Sequence, residues 1–253
     1  MTLEKADALV IRQVDFSESS RVVTFFSREF GKFAVLAKGA KRLKGSFDAG
    51  LDLLSACRIV FIRKSTGTLN LLTEARLINR FQPQNSGAKG SLSSLYGGYY
   101  VAELLSGLTE DFDPSPELYD LSISTLAALS SPEKLSSPVI IHFEISLLQL
   151  IGLLPNLFEC SVCGEPVQTG NQFAHWVSQG GVLCQACRRE EFAGVSISSG
   201  SIEILRCLTQ GSPDEINKIE FTKKQSEECH RLAVSAITHA LGRRPSTLRY
   251  IQI

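Results

Sequence analysis

Four cysteines arranged as two C-x2-C pairs constrain the fold more than any other feature of this 253-residue sequence. Cys160 and Cys163 are separated by 20 residues from Cys184 and Cys187. Each pair places two sulfurs at the tip of a tight turn, and Gly164 suits the knuckle formed by the first pair. Two knuckles supply four thiolates in a tetrahedron, the closed geometry of a structural zinc site. We therefore predict one structural zinc ion per chain.

Two disulfides or a redox dithiol are the competing interpretations of these cysteines. The sequence opens MTLEKADALVIRQ, in which charges precede any apolar stretch, so it lacks the pattern of a signal peptide and a cytosolic location is expected. Disulfides are rare in the cytosol, and a redox motif needs one pair rather than two. His175, between the pairs, is expected to be structural. Cys57, Cys207 and Cys229 lie in predicted strands or helices and are expected to be buried.

The first 80 residues have the pattern of short β-strands. In residues 58–64, alternate side chains point to opposite faces, as in a pleated strand. Gly31 and Gly67 close two candidate hairpin turns. Strands are expected at residues 8–14, 21–27, 32–37, 57–64 and 68–77. Five short strands predict a small closed or nearly closed OB-type β-barrel over residues 1–80.

After a candidate linker at residues 82–87, the apolar period becomes helical. The fold class is therefore α+β multidomain, with an all-α domain after the barrel. The most apolar stretch, residues 139–158, is interrupted by polar residues and predicts a buried helix rather than a membrane span. The expected domains after the barrel are a first helical part at 81–157, a four-cysteine zinc-binding insertion at 158–192 and a second helical part at 193–253.

Several helix boundaries have sequence signals. Ser115 and Ser137 each precede a proline and are candidate N-caps. Thr222 with Gln225 three residues later forms a candidate capping box, and Gly242 is a candidate helix end.

The charge is unevenly distributed although the net charge is zero. Residues 1–83 carry 14 Lys and Arg against 8 Asp and Glu, a net charge of +6, and the remainder carries 12 against 18, a net charge of −6. Four cations within seven residues follow a predicted strand: Lys38, Lys41, Arg42 and Lys44. Such a loop can lie beside a phosphate backbone, so a polyanion-binding surface is favoured over a merely solvated loop.

Residues elsewhere in the barrel sequence could extend this surface. Arg21 and Lys32 could add positive charge. Phe25, Phe33 and Phe47 could add stacking surface, although a place in the barrel core is favoured for each of them.

No catalytic motif is present in the sequence. G-x-S-x-G, H-E-x-x-H and G-x-G-x-x-G are all missing, and none of the four histidines has an evident partner. Glu144 lies in an apolar helix and could be a general base, but a surface or ion-paired core carboxylate is favoured. A metallohydrolase needs an open metal position, which four cysteine ligands do not leave. A binding protein is therefore favoured over an enzyme.

Three segments resemble the bacterial RecO family of recombination-repair mediators. They are GKFAVLAKGAKR at residues 31–42, YYVAELL at 99–105, and FEISLL at 143–148, which leads to GLLP at 152–155 and the first C-x2-C pair. The order of modules is also similar, since this family has an N-terminal OB barrel followed by a helical domain with a four-cysteine zinc insertion.

The resemblance implies a DNA-binding recombination mediator that binds single- and double-stranded DNA and anneals complementary strands, including strands coated with single-strand-binding protein (SSB). It implies contact with the C-terminal tail of SSB, association with RecR and assistance in loading RecA. The implied DNA-binding residues are Arg21, Lys32, Lys38, Lys41, Arg42 and Lys44. We expect a bacterial, cytoplasmic, nucleoid-associated protein that is monomeric alone, binds no membrane and needs no nucleotide cofactor. The competing hypothesis is a zinc-ribbon interaction module whose barrel docks a protein partner rather than DNA.

Overall fold

The chain forms two compact units, Met1–Lys134 and Leu135–Ile253, which are described one at a time. The computed structural model describes residues 2–41, 47, 51–64, 69–83, 88–131, 136–168, 172–176, 180–188, 196–211 and 219–253, with residues 88–91 described by their backbone alone. Among the described helices, none combines the length and apolar character needed to cross a membrane.

The first unit is built on a closed five-stranded barrel. Its strands are β1 (Thr2–Asp15), β2 (Arg21–Ser27), β3 (Gly31–Ala37), β4 (Ala56–Arg63) and β5 (Asn70–Asn79). Neighbouring strands follow the order β1-β2-β3-β5-β4, and β4 closes the barrel by pairing with β1. Among the described strands of the barrel, only β3 and β5 pair in parallel. This arrangement confirms the OB-type barrel predicted from the strand pattern.

Alternate residues of each strand fill the barrel. Phe25 and Phe33 are buried in this core, and Phe47 packs against it, so the core interpretation of these three rings is confirmed. Gly31 begins β3 with a φ of +65°, where an added Cβ would lie 2.0 Å from the Asp113 carbonyl oxygen. The hairpin turn expected at Gly31 therefore needs glycine for both its backbone conformation and its space. The turn expected at Gly67 lies outside the described residues.

Two helices complete the first unit, α1 (Ala88–Leu108) and α2 (Pro116–Leu129). Ser115 occupies the N-cap position of α2 in extended conformation, but its side chain makes no capping hydrogen bond. The segment between the helices attaches to the barrel: the Phe112 amide donates to the Lys32 carbonyl oxygen at 2.8 Å. The Phe112 ring also stacks on Phe33, with centroids 5.5 Å apart. Backbone and ring contacts thus bind the α1–α2 segment to the start of β3.

The second unit combines helices with a small sheet. Its elements are α3 (Ser136–Leu150), β6 (Asn156–Cys160), β7 (Gln172–Trp176), β8 (Gly181–Leu183), β9 (Ser196–Ser198), α4 (Ser199–Gln210), α5 (Lys223–Leu241) and a 3-10 turn (Thr247–Tyr250). The sheet has the strand order β6-β8-β7-β9, and α3 packs against α4 and α5. An α+β chain with helices around a cysteine-containing module is therefore confirmed.

The helix signals of the second unit have mixed outcomes. Thr222 and Gln225 form both hydrogen bonds of the capping box at the start of α5, and Gly242 ends α5 in the left-handed conformation, so both predictions are confirmed. The N-cap prediction for Ser137 is wrong, because α3 already begins at Ser136. The Ser137 hydroxyl instead donates to the Gln252 carbonyl oxygen at 3.2 Å.

Tertiary packing gives a histidine the partner that the sequence did not reveal. Glu144 on α3 is completely buried, and its Oε2 lies 2.9 Å from Nδ1 of His230 on α5. Of the two interpretations favoured for Glu144, a surface carboxylate and an ion-paired core carboxylate, the burial and the pairing with His230 agree with the second and exclude the first. No partner for His230 was evident in the sequence, because the two residues are 86 positions apart in the chain.

The three cysteines outside the C-x2-C pairs do not behave alike. Cys57 and Cys229 are buried, as expected, and burial raises the pKa of each thiol to about 12. Cys207 is exposed, so its predicted burial is wrong. It lies on α4 outside the buried face that Ile202, Leu205 and others form.

Candidate metal centre and nucleic-acid interface

The structure brings the four cysteines of the two pairs together. The sulfurs of Cys160, Cys163, Cys184 and Cys187 all lie within 4.8 Å of one another. In the described part of the chain, this is the only group of three or more potential metal ligands with such spacing. His175, in contrast, lies buried in β7 and is not part of the group.

Backbone hydrogen bonds shape both knuckles. The Gly164 amide donates to the Cys160 carbonyl oxygen at 2.9 Å, and Gly164 has the left-handed φ of +73° that the sequence suggested for this turn. In the second knuckle, the Cys187 amide donates to the Cys184 carbonyl oxygen at 3.2 Å. The two knuckles meet where the Cys184 amide points at the Cys160 sulfur, 3.4 Å away. These local turns, and the contact between them, bring the four sulfurs together.

The sulfur spacing fits a single tetrahedral ion. Four thiolates about 2.3 Å from one zinc ion lie about 3.8 Å from each other. The sulfurs of Cys163 and Cys184 are 3.7 Å apart, and all seven cysteines are free thiols. This separation is much longer than the S–S bond of a disulfide, about 2.05 Å. Four sulfur ligands fill a tetrahedral shell, so the cluster suits a structural ion rather than a catalytic one.

Protons are unevenly shared among the thiols. Burial raises the pKa of Cys160, but hydrogen bonds from the backbone of Cys163 and Cys184 outweigh burial and lower that pKa to about 6. Hydrogen bonding with the Cys163 thiol raises the pKa of Cys187 to about 12. A metal ion bound by all four sulfurs must therefore displace protons, since the ligands are thiolates.

The barrel brings together some of the cations predicted to bind DNA. Asp15, the last residue of β1, accepts a hydrogen bond from Arg21 Nε at 3.0 Å and another from Lys41 Nζ at 2.9 Å. The hydrogen bond from Lys41, followed by that from Arg21, lowers the pKa of Asp15. Lys38 is exposed in the turn that follows β3. We call Arg21, Lys38 and Lys41 the barrel-end cations; Arg42 and Lys44 lie outside the described residues.

Lys32 lies at the opposite end of β3. Arg21 pairs with Ala37 across the sheet, so five residues of strand, about 17 Å, separate the two ends. Lys32 Nζ donates to the carbonyl oxygens of Ser106 at 2.9 Å and Thr109 at 2.5 Å, and lies 3.7 Å from Asp111. Its side chain is only 15% exposed. The structure therefore places Lys32 at the C-terminal end of α1 and not among the barrel-end cations.

Comparison with known proteins identifies the family of this chain. The family model described as Recombination protein O N terminal matches residues 1–81, and the one described as Recombination protein O C terminal matches residues 90–249. The chain belongs to the RecO family. A DNA repair protein RecO from Rhodopirellula baltica is 39% identical over 202 residues, which cover 79% of this chain and 73% of that protein. One from Desulfitobacterium hafniense is 30% identical over 234 residues, covering 90% and 81%.

Membership of the RecO family confirms the resemblance seen in the sequence. A DNA repair protein RecO from Syntrophus aciditrophicus matches along nearly the full length of both proteins: it is 27% identical over 98% of this chain and 94% of that protein. The matching family and these relatives are named for recombination and DNA repair. A general role in recombinational DNA repair follows.

The sequence did not reveal two residues beside the barrel-end cations. Asp15 was not expected to lie between Arg21 and Lys41, since only strand pairing and the course of the loop after β3 bring them together. Phe16, the next residue, is a largely exposed aromatic side chain. Its signal in the sequence was its position just after an apolar strand and just before a serine-rich turn.

Proposed function

We propose that this chain is a non-enzymatic recombination mediator that binds single- and double-stranded DNA through its barrel and anneals complementary strands. The observation that carries the proposal is the position of the barrel-end cations on one end of an OB-type barrel in a RecO-family chain. OB folds bind oligonucleotides through the strand 2–3 face and the loops beside it. Arg21 begins β2, and Lys38 directly follows β3.

Phosphate can replace the carboxylate that now holds two of these cations. Asp15, Arg21 and Lys41 form an exposed ion-paired group, and exposed pairs contribute little stability because water screens them. Two cations against one carboxylate leave a net positive charge, to which exposed Lys38 adds. An incoming phosphate oxygen therefore finds preoriented donors without the cost of separating a strong buried pair.

Annealing follows from neutralising phosphates without reading sequence. Two complementary strands repel each other until their charges are offset, and their bases must stay free to pair. A cationic barrel end supplies the first condition, and contacts that leave the pairing edges of the bases free satisfy the second. Lys38, Lys41, Arg42 and Lys44, with Arg21, are the residues we assign to this contact. The contacts of Lys32 favour a structural role for that residue.

The proposed partners complete the role. We assign the chain contact with the C-terminal tail of SSB, which would bring it to coated strands, and association with RecR in helping to load RecA. These assignments rest on family membership. We also assign the protein to the bacterial cytoplasm, at the nucleoid.

We also propose that the four-cysteine cluster binds one structural zinc ion. The support is the tetrahedral sulfur spacing and the knuckle geometry described above. Zinc would cross-link β6, which ends at Cys160, to the segment that follows β8. The apolar core beside the cysteines is small: Ala174 and Leu183 are buried next to Cys160, and Trp176 packs against them. A bound ion would therefore add stability that this core cannot provide.

Fluorescence anisotropy of a labelled single-stranded oligonucleotide, titrated at several salt concentrations, tests DNA binding. The test variant replaces Lys38, Lys41, Arg42 and Lys44 with glutamine. The control variant replaces four exposed cations elsewhere, Lys5, Arg58, Arg76 and Lys223, and thus changes net charge equally. Each phosphate contact contributes about −0.7 to the slope of log affinity against log salt, so the test variant should lose up to about 2.8 units of slope.

The outcomes separate the hypotheses. A slope that flattens in the test variant and persists in the control supports the barrel end as the DNA-binding surface. Binding that keeps its slope in the test variant contradicts the assigned residues, and no binding at low salt contradicts the function. Annealing is then measured by energy transfer between labelled complementary strands, with and without SSB.

One observation favours the alternative that the barrel docks a protein. Outward-facing aliphatic residues occupy one row of the sheet: Leu3 pairs with Ile62, Ile62 with Leu71, and Leu71 with Leu36. Leu3 is 63% exposed and the other three are partly exposed. A protein docked on this row would bind with little salt dependence, and a Leu3→Asp variant would weaken that binding while leaving DNA affinity unchanged.

A further inference from the structure

Phe16 presents an aromatic ring to solvent at the same end of the barrel as the cations. The side chain is 62% exposed, whereas Phe25, Phe26, Phe33 and Phe61 of the same unit are almost completely buried. Isolated exposed apolar residues are common on soluble proteins, so exposure alone assigns no role. The surroundings of Phe16 are what distinguish it.

The turn that carries Phe16 is rigidly built. The amides of Phe16 and Ser17 both donate to the Ser20 carbonyl oxygen, at 3.0 and 3.2 Å, and the Ser20 amide donates back to Ser17 Oγ at 3.2 Å. The Lys41 amide ties the turn to the segment after β3 by donating to the Ser19 carbonyl oxygen at 3.1 Å. The backbone that carries the ring is thus ordered before binding, so less conformational entropy is lost when the ring meets a ligand.

Cations contact the residues on both sides of Phe16. Asp15, directly before it, accepts from Arg21 and Lys41. Ser17, directly after it, accepts from Lys41 Nζ at 3.3 Å through its carbonyl oxygen. One exposed ring is thus flanked by two cations that a phosphate backbone could engage. An apolar protein surface would not complement these cations. Single-stranded nucleic acid would complement both features, because each nucleotide carries a base that can stack on a ring and a phosphate that can pair with a cation.

We propose that Phe16 stacks on a base of single-stranded DNA and thereby makes the β1–β2 turn a determinant of preference for single strands over duplex. Bases in a duplex are already stacked on both faces, so only an unstacked base can accept the ring. The inference rests on the proposed DNA-binding function and adds base contact to a surface that otherwise contacts phosphates.

The test compares Phe16→Ala with the full-length parent chain by anisotropy on three ligands. They are a single-stranded oligonucleotide of about 20 nucleotides, an abasic sugar-phosphate chain of the same length, and a duplex of that sequence. Stacking on one base corresponds to about a five- to 150-fold loss of affinity for the normal strand on substitution by alanine. Affinity for the abasic chain and the duplex should not change, and the salt slope should stay the same, because no phosphate contact is removed.

Matched variants separate stacking from other causes. Phe16→Trp should retain binding, because tryptophan also stacks, and Phe16→Leu should lose it although leucine keeps the position apolar. Leu3→Ala removes an exposed apolar side chain that lies in β1, away from the turn, and should not change affinity for any of the three ligands. Unchanged circular dichroism and urea midpoints would show that the variants are folded.

Four results would overturn the inference. Equal losses on the normal and abasic strands would show that Phe16 does not contact a base, and unchanged affinity of Phe16→Ala for the normal strand would show the same. In both cases salt-dependent binding by the parent chain leaves the proposed function standing. Failure of the parent chain to bind any ligand at low salt would contradict the proposed function itself. If the parent chain binds a protein and Phe16→Ala does not, the ring contacts a protein partner instead of a base.

Discussion

Replacing Lys32 with methionine tests whether this residue stabilises the first unit or contacts DNA. The sequence grouped it with the other cations, but Lys32 Nζ donates to two carbonyl oxygens at the C-terminal end of α1. The last turn of α1 carries no basic residue of its own, so a strand residue supplies the positive charge that a helix C-terminus favours. Methionine keeps the aliphatic stem and removes only the ammonium group.

The expected loss is set by those two hydrogen bonds. A hydrogen bond to a charged group contributes about 1.5 to 3 kcal/mol, and two bonds that share one ammonium are not fully additive. Because Lys32 is 15% exposed, the Ser106 and Thr109 carbonyl groups would also lose a largely buried partner. We expect Lys32→Met to lower the free energy of unfolding of the first unit by about 2 to 4 kcal/mol, or its melting temperature by roughly 8 to 16 °C.

Urea denaturation with two probes localises the effect. Trp176, the single tryptophan, lies in the second unit, so its fluorescence reports that unit, while far-UV circular dichroism includes the barrel. Lys32→Met should lower the circular dichroism midpoint and leave the fluorescence midpoint unchanged. Lys38→Met is the matched control, since Lys38 is exposed: it should leave both midpoints unchanged and remove about 0.7 units of the DNA salt slope.

A stable Lys32→Met variant with a salt slope reduced by about 0.7 would refute this reasoning. It would show that the ammonium leaves the α1 carbonyl groups to bind phosphate. Loss of stability with an unchanged slope would establish Lys32 as a structural residue.

Two further predictions concern the second unit. Cys163→Ser should reduce the zinc content, measured by atomic absorption, below one ion per chain. It should also lower the urea midpoint followed by Trp176 fluorescence, because Trp176 packs against the apolar core that includes Cys160. Full zinc content in that variant would contradict the four-ligand site. Burial raises the pKa of Glu228, but hydrogen bonds from Ser198 and Ser201 outweigh burial and lower that pKa below its ordinary value. A carboxylate whose pKa is lower in the folded chain stabilises the fold above its unfolded pKa, and this stabilisation is lost as the pH falls through its folded pKa. Glu228→Gln should therefore lower the free energy of unfolding by about 1 to 3 kcal/mol at pH 7, and its urea midpoint should fall less steeply than that of the parent chain between pH 6 and 3. An equally steep fall in the variant would show that Glu228 does not contribute to the pH dependence of stability.

Local patterns predicted most of the elements and one of the two candidate sites. Alternating apolar residues located the barrel strands, because a strand that buries one face repeats every two residues. The cysteine cluster was also predictable, since each knuckle is a local turn and only the meeting of two knuckles is non-local. The Thr222 capping box is local in the same way. The N-cap expected at Ser137 failed because α3 begins one residue earlier.

Contacts between segments far apart in the chain could not be predicted from the sequence. Glu144 and His230 meet because α3 packs against α5, and no local pattern encodes that pairing. The distinction between Lys32 and Lys41 has the same origin. Each is a lysine near β3, yet Lys32 meets α1 while Lys41 meets Asp15 at the other end of the barrel.

The sequence by itself therefore determined which segments become strands, helices and cysteine knuckles, because hydrophobic period, turn residues and ligand spacing act over a few residues. Only the tertiary structure decided which charged and aromatic side chains remain available to a ligand. Strand register and helix packing select those partners across many residues, and they bury Phe33, engage Lys32 and leave Phe16 exposed.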